Sequence, residues 1–286
     1  MSVADKITRL QNSKTAIAGA ITAKGGTVES GDGFEDFADA VSDIPVGLTG
    51  SDLDGGGTRT YFCRAFQECV TLTSIPQLDT SNADNFASMF QGCYALTYIP
   101  PLDTSKNTAC NSMFQSCRSL TSIPQINTSV ISSLNSLCNG CWALTSFPQI
   151  DTSNCIDFGY MFRDCKALIT IPQLDTSKGT NFLYMFHTCS ALTTIPQLDL
   201  TSATNVNGMF GYCYELTEIS FTGSLKITGL SLSNSKKLTI ESLRSLINVL
   251  ETKTSGTFNV TVGSTNLAKL TEDDLQQVSQ KGWVFK

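Results

Sequence analysis

The chain has a single histidine, His187, in 286 residues, and that scarcity excludes much of the chemistry a protein of this size can host. Without a second imidazole, neither a two-histidine metal site nor a histidine relay can be assembled. A Ser-His-Asp triad would rest on one residue at a variable repeat position, which reads as a surface site. Charge is sparse too: 15% of residues are charged, the net charge is -6, and no Lys/Arg cluster stands ready to displace counterions from nucleic acid. No run of about 18 apolar residues reads as a transmembrane helix, and no glycine-rich phosphate loop is found. Met1-Ser2-Val3-Ala4-Asp5-Lys6 lacks the apolar stretch and small-residue cleavage site of a secretory signal, so we expect synthesis and folding in a cytoplasm. The gaps together lead us to expect no catalytic residues, no cofactor, no metal, and neither nucleic acid nor membrane as a partner.

Against these gaps stands a strict repeat. Cysteine recurs every 24 residues at Cys69, Cys93, Cys117, Cys141, Cys165, Cys189 and Cys213. Leucine follows three residues later in every copy, from Leu72 to Leu216. An Ile/Phe column runs from Ile75 to Ile219, with Phe147 in the fourth copy. A Leu/Ile column extends from Leu78 to Leu198, and a Phe column runs from Phe66 to Phe210 with Cys138 in its fourth place. A period of this length means one supersecondary unit stacked on itself, which buries its apolar face only against neighbours. We expect a solenoid of seven rungs over residues 61–219. The Leu-Thr-x-Ile-Pro-x-Leu phrase should be its strand, Asp-Thr-Ser-Asn its turn, and Asn-Phe-Ala-Ser-Met-Phe a short helical turn.

The flanks read differently. Val3, Ile7, Leu10, Lys14, Ile17 and Ile21 make a heptad seam that should stop at Lys24-Gly25-Gly26, followed by a short helix carrying Phe34, Phe37 and Val41. Residues 1–45 are thus a helical unit whose apolar faces either dock on each other or form an oligomerisation seam, a trimeric one being the short-heptad option. Residues 46–60 read as a glycine-rich linker. Residues 220–286 read as an αβ cap: strand 229–232, helix 239–250, strand 257–262, helix 270–280, then Trp283-Val284-Phe285. Thr239 and Thr271 are placed to be helix N-caps.

Several ladders could carry chemistry. The cysteines follow the core period, so we expect reduced thiols packed as small hydrophobes; parallel rungs give poor disulfide geometry. Cys138 and Cys141 form a C-x-x-C, read as core substitution over a zinc or redox pair. Asp79, Asp103, Asp151, Asp175 and Asp199, with Asn127, would repel unless each accepts from turn amides; calcium between rungs is the alternative. The glutamines Gln77, Gln125, Gln149, Gln173 and Gln197 read as a structural polar ladder.

The residue after each ladder cysteine is not fixed: Val70, Tyr94, Arg118, Trp142, Lys166, Ser190, Tyr214. Aromatic and cationic side chains of this kind stack and hydrogen-bond at recognition surfaces, whereas drift at tolerant exposed positions would also vary the column. We take Tyr94, Tyr98, Arg118, Trp142, Lys166 and Tyr214 as candidate ligand-binding residues, with Tyr212 a further aromatic nearby.

The Ala65-Phe66-x-x-Cys69-x-x-Leu72 and Met-Phe-x-x-Cys-x-x-Leu phrases resemble the BspA-like leucine-rich repeats of bacterial and mycoplasma surface proteins, over residues 61–219. The resemblance implies a curved leucine-rich-repeat solenoid used for adhesion and recognition. Asn12-Ser13-Lys14, Ala16-Ile17, Ala20-Ile21, Lys24-Gly25, Ala38-Asp39-Ala40-Val41 and Ile44-Pro45 are similar to the N-terminal module of tail-associated proteins of gut bacteriophages and prophages. Gly263–Thr271 and Lys281-Gly282-Trp283 are similar to C-terminal segments of the same proteins. This second resemblance implies a virion tail protein made in the host cytoplasm. Residues 1–45 would join other tail proteins or form a homo-oligomer, and the solenoid would face a bacterial surface glycan or protein. A bacterial surface adhesin is the alternative. A glycan hydrolase is the third reading, disfavoured because the aspartates stack as a ladder instead of converging in a cleft.

Overall fold

The computed structural model describes residues 62–75, 77–256 and 258–286, with the backbone of strand β1 (Leu48–Thr49). The helical unit expected over residues 1–45 lies outside the described residues, as does most of the span 46–60. Within that span β1 runs parallel to β2 (Leu78–Asp79), pairing Leu48 with Leu78, so these two residues extend the stack where a linker was expected.

From Phe62 onward the chain is a pile of rungs in parallel register. Bridges join Asn85 to Ala109, Asp157 to Asn181 and Asn181 to Asn205, each 24 residues apart. The segment expected as a helical turn is instead a ribbon of consecutive β-turns whose amides alternate in direction. In the second rung, Met89, Gln91 and Cys93 donate back to Phe86, Ser88 and Phe90 at 3.1 Å. The intervening amides of Phe86, Ser88, Phe90 and Gly92 donate to Ala109, Asn111, Met113 and Gln115 of the next rung at 2.8–2.9 Å. A helix would send every amide to its own strand of chain; here half of them stitch rungs together.

Two columns make this alternation by holding φ positive at the third residue of a turn, the requirement of type II-like turns. One is Arg64, Ser88, Ser112, Ser136, Tyr160, Tyr184 and Gly208; the other is Glu68, Gly92, Ser116, Gly140, Asp164, Thr188 and Tyr212. Every non-glycine residue with positive φ among the described residues belongs to one of them.

The expected strands are also only partly realised. Regular pairing is confined to β2, β3 (Thr194–Asp199) and β4 (Glu218–Thr222). Proline is the cause: Pro100, Pro124, Pro148, Pro172 and Pro196 sit mid-phrase and lack the N–H a ladder needs. At β3–β4 the register shifts between Ile195 and Gln197, flanking Pro196, and β4 carries Ser220 where earlier rungs have proline.

The core is built from the columns. Phe66, Phe90 and Phe114 stack nearly parallel at 5.4 and 6.1 Å, and Phe162, Phe186 and Phe210 at 5.7 and 5.9 Å. Cys138 interrupts the stack, and Phe147 of the same rung turns into it, meeting Phe162 edge-on at 4.8 Å. A small residue in the Phe column is thus filled by a large one in the Ile column.

Beyond Thr222 the chain forms α1 (Ile240–Val249), β5 (Phe258–Val260), α2 (Ser264–Leu267), α3 (Glu272–Gln280) and β6 (Trp283–Phe285), with β5 and β6 parallel. The sequence reading anticipated α1, β5 and α3; the strand it expected over 229–232 is reduced to an isolated bridge from Ser231 to Thr261. Thr239 caps α1 by accepting from Ser242 N, and Thr271 with Asp274 closes a capping box on α3. Asp274 also receives Arg244 bidentately at 2.9 and 3.2 Å, joining α1 to α3, and that pairing holds its carboxyl down at about 2. This segment answers the amides the last rung leaves unpaired: Tyr212 N donates to Asn234 Oδ1, Ile219 N to Ser242 Oγ and Phe221 N to Ser245 Oγ.

Candidate functional site

The cysteine column lies inside the core, and all eleven cysteines of the chain are free. Its sulfur has a specific task. Cys93, Cys117, Cys141, Cys165, Cys189 and Cys213 each donate Sγ–H to a backbone carbonyl 27 residues earlier, at 3.0–3.1 Å. In the second rung the same carbonyl, Phe90 O, also accepts the amide of Cys93. A thiol is small and apolar enough for the core and still satisfies the second lone pair of that oxygen. Burial raises the thiol pKa: Cys69 to about 11, and Cys110, Cys155 and Cys213 to about 12. These groups are protonated packing elements and not nucleophiles. Cys138 and Cys141 are both buried in the same core.

The aspartate column makes Asx turns. Asp79, Asp103, Asp151, Asp175 and Asp199 accept from the amide two residues on at 2.8–3.1 Å, and Asn127 does the same to Ser129 at 3.0 Å. The Ser81 and Ser177 hydroxyls, then their amides, hold Asp79 and Asp175 below the usual carboxylate range. For Asp103 and Asp151 the amides of Ser105 and Ser153 act first. The glutamine column bridges rungs across the proline positions: Gln125, Gln149 and Gln173 donate Nε2 to the carbonyls of Gln149, Gln173 and Gln197 at 2.7–2.8 Å. Pro101 occupies this column in the second rung and sends no side-chain amide to the third. There a groove of about 690 Å³ opens, lined by Tyr98, Ile99, Leu102, Ile123, Asn127 and Asp151. Tyr98 therefore belongs to the proline-bearing side of the rung and does not join the other candidates.

The variable column assembles four of the six candidates into one stack. Arg118 Cζ lies 4.1 Å from the Tyr94 ring centre and 4.4 Å from that of Trp142, and Lys166 Nζ also lies 4.4 Å from the Trp142 ring centre. Aromatic and cation alternate rung by rung, each cation facing a ring quadrupole. The Tyr-Arg-Trp-Lys order in the sequence thus becomes a set of side-chain contacts between neighbouring rungs. Ser190 ends the stack, and Tyr214 stands beyond it.

A second cluster went unrecognised in the sequence. Tyr160 and Tyr184 pack at 5.5 Å, Tyr184 meets His187 edge-on at 5.0 Å, and His187 meets Tyr212 at 5.1 Å. Tyr212 contacts Tyr214 at 6.0 Å, and Arg163 Cζ lies 5.8 Å from both Tyr160 and Tyr184. His187, expected to be a simple surface residue, is half-buried between two tyrosines and bonded through Nδ1 to Thr188 Oγ1 at 2.8 Å; burial, then Arg163, lowers its pKa. Glycines make the room: a Cβ on Gly208 would come within 2.3 Å of the Tyr184 ring, and one on Gly211 within 2.6 Å of His187. Tyr212 of this cluster and Tyr214 of the variable column flank Cys213 in the sequence and are in contact. These two groups of rings and cations, Tyr94 to Lys166 and Tyr160 to Tyr214, are together called the strip.

No group of three or more metal-competent side chains is gathered among the described residues. What the fold defines is a stacked-repeat protein whose repeating columns build the scaffold and whose variable positions carry these rings and cations. The chain belongs to the family described as Mycoplasma protein of unknown function, DUF285, which matches residues 60–168 and 109–221 and so covers more than half of it. It is similar to a leucine-rich repeat protein of T. pallidum (TpLRR), with 17% identity, a TM-score of 0.43, and 72% of this chain and 77% of that one covered. A leucine-rich repeat protein from Bacteroides ovatus ATCC 8483 is 16% identical, with a TM-score of 0.29 and coverage of 78% and 86%. Comparison with curated proteins returns no match.

Proposed function

We propose that the protein is a non-enzymatic recognition or adhesion protein that presents a leucine-rich-repeat surface to a bacterial cell-surface glycan or protein. The observation that carries this reading is the strip itself. In a chain where the scaffold columns repeat with little change, aromatic and cationic residues are concentrated in the variable positions, and those are the residue types that dominate recognition surfaces. The resemblance of the flanks to phage tail-associated proteins supports a virion tail protein, with residues 1–45 as its attachment to other tail proteins. A bacterial surface adhesin is the second reading, supported by the resemblance of the repeats to BspA-like surface proteins. Location separates the two: the protein copurifies with phage particles in the first case and with cell envelopes in the second.

The test is binding of the full chain to cell walls and glycans from a panel of bacteria. We expect at least one to be bound and Trp142→Ala or Tyr212→Ala to weaken binding about tenfold, the scale of an interfacial aromatic hot spot. Full binding by both folded variants would remove the strip from the account.

A further inference from the structure

Arg118 and Lys166 are held in an unusual state for surface cations. Neither pairs with a carboxylate among the described residues, where the ion pairs are Arg163–Asp164, Lys237–Glu215, Arg244–Asp274 and Lys253–Glu251. Their hydrogen-bond donors likewise go unused by the protein there, although nearby polar side chains such as Ser119 are bonded. What orients them is the aromatic stack. The Arg118 guanidinium lies between Tyr94 and Trp142, and Trp142 lies between Arg118 and Lys166.

This arrangement has a chemical consequence. Two rings flank the guanidinium carbon, and its N–H groups, unbonded among the described residues, are the part left for a ligand and match a carboxylate or phosphate. Arg118 and Lys166, from the rungs before and after, each lie 4.4 Å from the Trp142 ring centre, which leaves this ring less open to the flat face of a neutral sugar. It is still 41% exposed. The two cations stand two rungs apart, roughly 9–10 Å at about 4.8 Å per rung. Asp164, the acid nearest to Lys166 in sequence, is engaged by Arg163 Nε at 3.3 Å. Preorganised, unpaired positive charge on a protein of net charge -6 is a local feature with a direction.

We propose that the Tyr94–Arg118–Trp142–Lys166 ladder binds an acidic polysaccharide of the cell surface, with successive anionic groups reaching Arg118 and Lys166. This rests on the recognition reading above and names its ligand class. Carboxylate-bearing and phosphate-bearing polymers share the required chemistry.

The experiment measures binding of the full chain to immobilised polygalacturonate, polyglycerol phosphate, neutral dextran and polyglutamate, at low and at physiological salt. Arg118→Gln/Lys166→Gln, which keeps stems and removes both charges, is compared after its melting temperature is shown to match. We expect binding to one or both acidic polymers, weakened by salt, about tenfold weaker in the double variant, and absent for dextran. The preferred polymer tells carboxylate from phosphate. Equal binding by the double variant, equal binding to dextran, or binding to polyglutamate alone would overturn the proposal. If in those cases the wild type still binds bacterial cell walls, the recognition reading survives without the acidic ligand. If it binds neither polymers nor any cell wall, both fail.

Discussion

Ser112 holds φ at 56°, a left-handed conformation that costs a residue bearing a Cβ about 1–2 kcal/mol. Its amide is thereby aimed at Asn135 O of the next rung, 3.0 Å away, and the same trade recurs in both left-handed columns. Gly92, Gly140 and Gly208 show that the columns accept glycine. We expect Ser112→Gly to stabilise the protein by about 0.5–1 kcal/mol in urea unfolding, and Ser112→Val to destabilise it by at least about 1 kcal/mol. The buried thiols set a second residue-scale property. Their folded pKa values are raised above the unfolded value near 9, so their contribution is complete below pH 9. It is lost as the pH rises toward 11–12, where the unfolded chain alone has released those protons. Each such cysteine should steepen the loss by about 1.4 kcal/mol per pH unit over that window. Chemical denaturation at pH 8, 9, 10 and 10.5 measures this, and Cys110→Ala should flatten the curve by one cysteine's share.

At the scale of the element, the fourth rung is an exception that follows the rule. Cys138 and Phe147 each break a column, and together they keep the rung's volume, with Phe147 edge-on to Phe162 at 4.8 Å. Cys138→Phe alone should overpack the site and cost about 1–3 kcal/mol, and Phe147→Ile alone should leave a cavity of similar cost. The double variant restores the pattern of the other rungs, so we expect it within about 1 kcal/mol of the wild type, a coupling that a double-mutant cycle reads directly. The sequence period identified these columns as core because apolar side chains recur at fixed spacing. It also located α1 and α3 through Thr239, Thr271 and the Leu243-Leu246-Ile247-Leu250 face. It did not reveal the turn ribbon, because the alternation of amides depends on partners 23 residues away and on positive φ at residues such as Tyr160 and Asp164 that carry no glycine signal. The proline in each strand phrase is plain in the sequence, and at Pro124 or Pro172 it removes the N–H that a regular ladder needs.

Across the whole molecule, the scaffold and the strip divide the chain's work. Cysteine, aspartate and glutamine columns spend their polar groups on backbone partners in neighbouring rungs, leaving the variable columns to face outward. Four candidates, Tyr94, Arg118, Trp142 and Lys166, were legible as a column, though not as a stack, since alternation of ring and cation has meaning only once rungs are superposed. Tyr98 was grouped with them by sequence proximity, and its rung position separates it. Tyr184 and His187 were missed because their seats are glycines one rung later, Gly208 and Gly211, a pairing visible in the sequence only when columns are compared at an offset of 24 residues.

The two tryptophans offer a direct readout of the strip. Trp142 is 41% exposed within it, whereas Trp283 is 2% exposed in the C-terminal segment. In a Trp283→Phe background all tryptophan emission comes from Trp142. On addition of a bound polymer or cell-wall fragment, we expect its emission to shift and its quenching by acrylamide to fall, saturating with the binding curve. Saturable binding that leaves Trp142 emission and quenching unchanged would show that recognition occurs elsewhere and would contradict the role assigned to the strip.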